Sequence, residues 1–287
     1  MQWTTIAQAV LTGILMGSIY ALVAIGLTLI FGVVRIVNFA QGEFLMVGMY
    51  ISYWLWHLFG LDPYLSLLIT MPAMFLFGVF VYGVFFRRVI GAPDLAQIFL
   101  TVALSIVLMN LALFFFTADF RSVRTSYGDL TVNLRGVILS VPRLLAFAGA
   151  LLFGLLLYLF LWGTDTGKAL RAVAQDREVA MLLGINPERM YWLAVGLGSA
   201  LAGGAGALLL PFFYVFPTVG VTFVLIAFVV VIFGTLGNIK GAFLAAFIVG
   251  VAESLGILFA GGDMGLIVVF MILVLVLAFK PSGLMGA

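Results

Sequence analysis

The sequence contains no cysteine and a single histidine, His57. Disulfides, thiolate chemistry and cysteine-built metal sites are thereby excluded. One histidine is a poor basis for a histidine-built metal centre. Charge is almost as scarce. Only 8% of residues are charged, whereas a soluble domain carries about a quarter. That leaves no room for a soluble catalytic domain. The net charge of +2 does not indicate nucleic acid as a partner. The opening stretch MQWTTIAQAV lacks a basic n-region, and the apolar run that follows is too long for a cleaved signal peptide.

What is present is apolar. Hydrophobic residues make up 65% of the 287. A chain of that composition cannot shield its surface from water, so it is read as a polytopic membrane protein. A helix needs about 20 residues to cross roughly 30 Å of hydrocarbon. Apolar runs near 6–33, 39–59, 64–86, 96–117, 143–162, 190–212, 221–234, 242–260 and 265–279 meet or approach that length. The expected fold is an all-α transmembrane bundle of eight to nine spans forming a single domain over 1–287. The seventh run is short, which suits a broken or partly re-entrant segment.

Alternate loops fall on opposite sides. One side collects nine of the 13 basic residues: Arg35, Arg87, Arg88, Lys168, Arg171, Arg177, Arg189, Lys240 and Lys280. The other collects Arg121, Arg124, Arg135 and Arg143. The excess predicts that the first side is cytoplasmic, with the N-terminus outside and the C-terminus inside. The 118–142 segment is then external, and its turn residues and β-formers suit a small hairpin or cap. Ile30-Phe31-Gly32 and Gly42-x-Phe44-Leu45 echo Ile232-Phe233-Gly234 and Gly241-x-Phe243-Leu244, which suggests a parallel internal repeat. Small residues recur every four positions at Gly13, Gly17 and Ala21, at Ser199, Gly203 and Ala207, and at Ala242, Ala246, Gly250 and Ser254. Such stripes let helices pack closely in lipid. Packing within the chain is preferred over a subunit interface.

Polar residues stand out against this background. Gly163-Thr-Asp-Thr-Gly167-Lys168 resembles a phosphate loop but has only three residues between its glycines, and Ala169 follows the lysine. A turn into a helix, capped by Asp165 or Thr166, fits better, so neither ATP nor any other cofactor is expected on this chain. No intramembrane protease motif is present. His57 lies among Trp54, Trp56 and Phe59, which suits an interfacial anchor. Glu253 is the one acid deep within a span. It reads equally as a pathway residue or as a structural hydrogen bond. Asn110 carries the same choice and leans structural. Arg35 to Glu43 forms a polar break, in which Asn38 can cap the next helix. That break is either a plain turn or the lining of a cavity. Asn38, Gln41, Glu43 and Glu253 are the candidate path residues.

Gly163 to Arg189 is a charged island holding eight of the chain's 24 charged side chains. One amphipathic helix is expected from Thr166 to Gly184, with Asn186-Pro187 opening the next. Leu170, Val173, Ala174 and Met181 share its apolar face. Such a helix lies on headgroups or docks on a partner, and its mixed charges favour the partner.

Four segments carry a resemblance. Ala174-Gln-Asp-Arg-Glu-Val-Ala-Met-Leu-Leu-Gly184-Ile-Asn is similar to the cytoplasmic coupling loop of the branched-chain amino acid permeases of ABC importers. Val37 to Phe44, Phe233 to Ala242, and Lys280-Pro281-x-Gly283-Leu284 resemble three further patterns of that family, most closely its H-type subunit. The resemblance covers essentially the whole chain and implies the ABC importer permease fold. It also implies a second, usually unlike permease, two cytoplasmic ATP-binding subunits and an extracytoplasmic solute-binding protein, in a bacterial or archaeal plasma membrane. ATP hydrolysis then falls to the partners. The 163–189 loop becomes the coupling segment, with Ala174, Asp176, Ala180, Leu183 and Gly184 in its frame. Gln41 and Ile226 depart from the family pattern, where His and Lys are common, and the segment after Arg87-Arg88 lacks the usual Arg-Pro pattern. Urea, short amides and other amino acids stay open as substrates. An ion-coupled secondary transporter of small polar solutes is the rival from another class.

Overall fold

A computed structural model describes residues 3–134, 136–262, 264–280 and 283–285. Arg135 and Pro281 lie outside the described residues. The chain forms α1 (Trp3–Val34), α2 (Gln41–Phe59), α3 (Pro63–Val84), a 3-10 turn (Phe86–Val89) and α4 (Asp94–Phe116). A two-stranded hairpin follows, β1 (Thr131–Leu134) and β2 (Val137–Ser140). Next come α5 (Val141–Gly163), α6 (Asp165–Gln175), α7 (Arg177–Leu182) and α8 (Pro187–Leu209). The described chain continues through α9 (Val219–Gly234), α10 (Ile239–Ala260) and α11 (Met264–Phe279). Each of the nine expected spans is a helix. Six described helices are long and apolar enough to cross a membrane, and α9 and α11 are shorter apolar helices. The outer face of α4 exposes Phe99, Ile106, Phe114 and Phe115, as a lipid-facing surface requires.

Two ends of the bundle are distinct. One holds the hairpin, the other holds α6 and α7. The hairpin pairs Thr131 with Ser140 and Leu134 with Val137 in antiparallel register. Gln8 of α1 acts on β2 as a third strand would. Its amide donates to the Ile138 carbonyl at 2.6 Å, and the Ile138 N–H donates back to Gln8 Oε1 at 2.8 Å. Tyr127 extends the cap, donating to Asp62 Oδ2 at 2.6 Å. Desolvation and the adjacent Asp62 carboxylate push the Tyr127 phenol well above its ordinary pKa.

The core forms around α1 and α8, which are mostly buried. Close backbone approach explains the small-residue stripes, which pack within the chain. A Cβ on Gly13 would sit 2.6 Å from the Gly250 carbonyl oxygen, and one on Gly17 would sit 2.9 Å from that of Ala246. Ser254 seals the same seam by donating to the Ala9 carbonyl at 2.7 Å. The stripe on α8 meets α2 and α3, where Gly48 faces the Gly203 backbone. Gly48→Leu is therefore expected to overpack this crossing and cost about 1–3 kcal/mol. A lowered unfolding temperature in detergent would register it, and unchanged stability would contradict the crossing.

The repeat has a structural counterpart. The α1–α2 and α9–α10 connections lie at the same end, run in the same direction and face one another. A Cβ on Gly32 would contact Gly237 Cα at 3.6 Å. Each connection leaves its first helix through a non-glycine residue in the left-handed region, Arg35 at φ 64 and Thr235 at φ 83. Each then uses an asparagine side chain to hold a backbone N–H, that of Ala40 for Asn38 and that of Gly241 for Asn238.

Three local expectations are corrected. Asn38 does not cap α2, because its carboxamide takes the Ala40 N–H and closes a turn, leaving Ala40 at the cap position. Thr164 caps α6, accepting from the Gly167 N–H at 3.0 Å, ahead of Asp165 and Thr166. The island is two helices, broken at Asp176. Its carboxylate accepts from the N–H groups of Glu178 (2.9 Å) and Val179 (3.0 Å), so a new helix starts there. Asn186 caps α8 as expected.

Candidate functional site

The four candidate path residues separate into two places. Asn38, Gln41 and Glu43 are buried at the α1–α2 junction. Asn38 Nδ2 donates to Gln41 Oε1 at 3.1 Å, and Gln41 Nε2 donates to the Gly198 carbonyl on α8 at 3.2 Å. This chain of bonds ties the α1–α2 connection and the start of α2 to α8. None of the three lines the cavities described below. Asn110 bonds its own helix, donating to the Ile106 carbonyl at 2.7 Å from the exposed face of α4. His57 stacks on Tyr53 at 5.8 Å, beside Trp54 and Trp56, at the hairpin end of α2.

Glu253 faces a cavity of about 260 Å³ between α1, α9 and α10, in the half of the bundle nearer the hairpin. Tyr20 on α1 donates to Glu253 Oε2 at 2.7 Å. Arg143, in the first turn of α5, enters the same cavity. Its guanidinium lies over the Phe212 ring at 5.7 Å. Among the described residues no ion pair joins Arg143 to Glu253. A negative and a positive group thus stand apart on one wall system. Phe213 and Phe223 meet edge to face at 5.7 Å between them, and Ile226 and Ile257 complete the apolar lining. Glu253 was legible as the lone deep acid. Arg143 was not, because position 143 borders an external loop in the sequence and only folding turns it inward. Ile226, one of the departures from the family-like pattern, is part of this wall.

At the opposite end the island presents a second feature. On α6, Leu170 and Val173 are buried against the bundle. Met181 was expected on their face. It is instead 46% exposed, because the break at Asp176 resets the helical phase. The exposed apolar residues gather on α7 and just beyond: Val179, Met181, Leu182 at 86% and Leu183 at 73%. Ala180 points the other way and is buried at 1%. Gly184, at φ 80, ends α7, and Ala174 accepts a hydrogen bond from Arg35 at 3.1 Å. Of the five candidate coupling residues, Leu183 and Gly184 are on the exposed patch, Asp176 shapes it, and Ala174 and Ala180 pack beneath it. Val179 and Leu182 were missed, since sequence periodicity assumed one continuous helix. Lys168 holds the exposed Asp165 carboxyl below its usual pKa through a hydrogen bond of 2.9 Å.

All four family-like segments converge at this end. Arg35, just ahead of the Val37 segment, donates to the carbonyl of Ala174 in the island segment, Gly32 approaches Gly237 of the Phe233–Ala242 segment, and the Leu284 N–H donates to the Phe233 carbonyl at 2.8 Å. A lipid-facing helical bundle with an acid and a guanidinium in an inner, apolar-walled cavity and an exposed apolar patch at one end fits a membrane transport protein. The chain belongs to the family described as branched-chain amino acid transport system, permease component, whose model matches residues 9–277. It is 32% identical to the high-affinity branched-chain amino acid transport system permease protein BraD of Pseudomonas aeruginosa, over 97% of this chain and 95% of that protein. It is 30% identical to the corresponding LivH of Escherichia coli K12, over 99% of this chain and 97% of that protein. A probable branched-chain amino acid transport permease protein LivH of Methanocaldococcus jannaschii is also 30% identical, over 95% of this chain and 90% of that protein. The solved PsaBC of Streptococcus pneumoniae in complex with Fab aligns with a TM-score of 0.46 and 14% identity, over 94% of this chain and 91% of that one. That likeness is too loose to bear on fold or function.

Proposed function

We propose that this chain is the permease subunit of an ATP-driven importer and forms part of the path for branched-chain or other apolar amino acids. Its place in the permease family supports the class. The observation that carries the substrate reading is the cavity that holds the Glu253 carboxyl and the Arg143 guanidinium apart within one apolar wall. A free amino acid offers an ammonium to the acid, a carboxylate to the guanidinium, and an aliphatic side chain to Phe213, Phe223 and Ile226. Urea and simple amides carry neither charge and leave both groups unmatched. An unmatched charge in a low-dielectric site is costly.

The partners follow from the same reading. Two ATP-binding subunits dock on the cytoplasmic side, where α7 with Leu182 and Leu183 meets one of them. A second permease, paralogous to this one, completes the path, and a solute-binding protein delivers substrate from outside. The chain sits in a bacterial or archaeal plasma membrane with its N-terminus outside and its C-terminus in the cytoplasm, the 118–142 cap external. The nine-to-four division of basic residues supports that orientation. ATP hydrolysis takes place on the partners, and the 163–189 loop carries their closure into the bundle.

Reconstitution of the complete transporter in liposomes tests this. Leucine and valine uptake is expected to require ATP inside and the binding protein outside. Uptake by this chain alone, driven by an ion gradient, would overturn it, as would a preference for urea over leucine.

A further inference from the structure

A second cavity, of about 440 Å³, opens at the island end between α1, α5, α6 and the α9–α10 connection. Three cations line it: Arg35, Arg171 and Lys240. No acidic residue does. Of the island's four acids, Asp165 engages Lys168, Glu188 engages Arg87 at 2.8 Å and Asp176 starts α7, while Glu178 is exposed on α7 and outside the groove's lining. Arg35 and Arg171 donate to the backbone carbonyls of Ala174 at 3.1 Å and Leu161 at 3.0 Å, and among the described residues neither forms an ion pair, so their charge is oriented but not neutralised. The positive end of α10 adds to this, since Asn238, Ile239 and Lys240 of its start are in the wall.

The rest of the wall argues for what kind of anion enters. Trp162 lies beneath both Arg171 (4.9 Å) and Lys240 (5.6 Å) and stacks on Tyr158 at 4.5 Å. Both rings are in the last turns of α5, at the level where spans meet headgroups and aromatic belts form. Beside these rings the outer face of α5 is apolar and open, with Leu155 and Leu159 exposed. A soluble phosphate needs only the cations. A phospholipid uses both the cations and the apolar strip.

We propose that this groove seats the phosphate headgroup of an anionic phospholipid, with an acyl chain along Leu155 and Leu159 of α5. Basic pockets between spans on the cytoplasmic side bind such headgroups. The lipid would brace α6 against the end of α1 and so steady the segment that carries α7. This site is independent of the amino acid reading, since neither its residues nor its ligand are shared with the Glu253 cavity.

The test uses the purified transporter with its partner subunits. Its thermal stability is measured on adding phosphatidylglycerol, phosphatidylcholine or inorganic phosphate, and retained lipid is counted by native mass spectrometry. Phosphatidylglycerol is expected to stabilise and to stay bound, with phosphatidylcholine and phosphate having little effect. Lys240 is exposed, so Lys240→Gln leaves the fold intact. It is expected to weaken phosphatidylglycerol retention at least tenfold, and Lys240→Arg to restore it. Arg171→Gln gives a second, independent loss. Equal stabilisation by inorganic phosphate would make this a soluble-anion site and overturn the lipid assignment. Undiminished phosphatidylglycerol binding in both Gln variants would overturn the site itself.

Discussion

In the assembled importer, Glu253→Gln is expected to lower leucine uptake roughly 10- to 100-fold at low substrate. That range corresponds to losing one charge-assisted hydrogen bond of about 1.5–3 kcal/mol. The variant keeps the side-chain volume and still offers an acceptor to the Tyr20 hydroxyl, which now donates at 2.7 Å. The helix seam between α1 and α10 therefore survives, and co-purification of the subunits checks that it does. Arg143→Gln should cause a loss of similar size with a different signature. Removing the guanidinium removes the partner of the substrate carboxylate, so discrimination against leucine amide should shrink. Tyr20→Phe should cost less, since it only frees the Glu253 carboxylate. Initial rates over a range of leucine and leucine amide concentrations measure all three. Wild-type uptake in Glu253→Gln, with the complex intact, would show that this cavity lies off the path.

The second large effect concerns the island. Leu182→Asp combined with Leu183→Asp is expected to remove most ATP-binding subunit from the purified complex and to abolish ATP-driven uptake. Exposed apolar anchors at an interface centre cost at least about 2 kcal/mol each when lost, and two placed together exceed that. Because both residues are largely exposed, the bundle should fold normally. Ala180→Leu makes the control. Its site is buried, so a bulky side chain there disturbs the packing of α7 on the bundle before any interface is reached. Gly184→Val falls between the two. Its left-handed backbone at φ 80 disfavours a β-branched residue, so the end of α7 shifts while the complex still assembles, and transport uncouples from hydrolysis. Full recovery of the ATP-binding subunit by the double aspartate variant, with normal uptake, would remove α7 from the interface.

Much of the fold was legible because it depends on local composition. Hydrophobic runs gave every span, since a helix in lipid satisfies its backbone within its own segment. The small-residue stripes were legible for a related reason. Close packing needs small side chains at fixed helical spacing, and Gly13, Gly17, Ala246 and Gly250 have it. The break at Asp176 was not legible. Propensity alone favours continuing the helix through Gln175, and a cap forms only because the Asp176 carboxylate finds the next two N–H groups. That one event moved the exposed apolar patch from α6 to α7.

By itself, then, the sequence determined a cysteine-free, all-helical membrane protein, the position of its spans and the presence of a charged island, all properties that a residue shares with its near neighbours along the chain. Only the tertiary structure decided which polar residues meet. It closed Asn38 and Gln41 into a helix junction with Gly198, set Tyr20 on Glu253 across 233 positions, and brought Arg143 into the same cavity. It also gathered Arg35, Arg171 and Lys240 around one groove. These contacts depend on how helices cross, and side chains on different helices have no periodic relation in sequence that would reveal it.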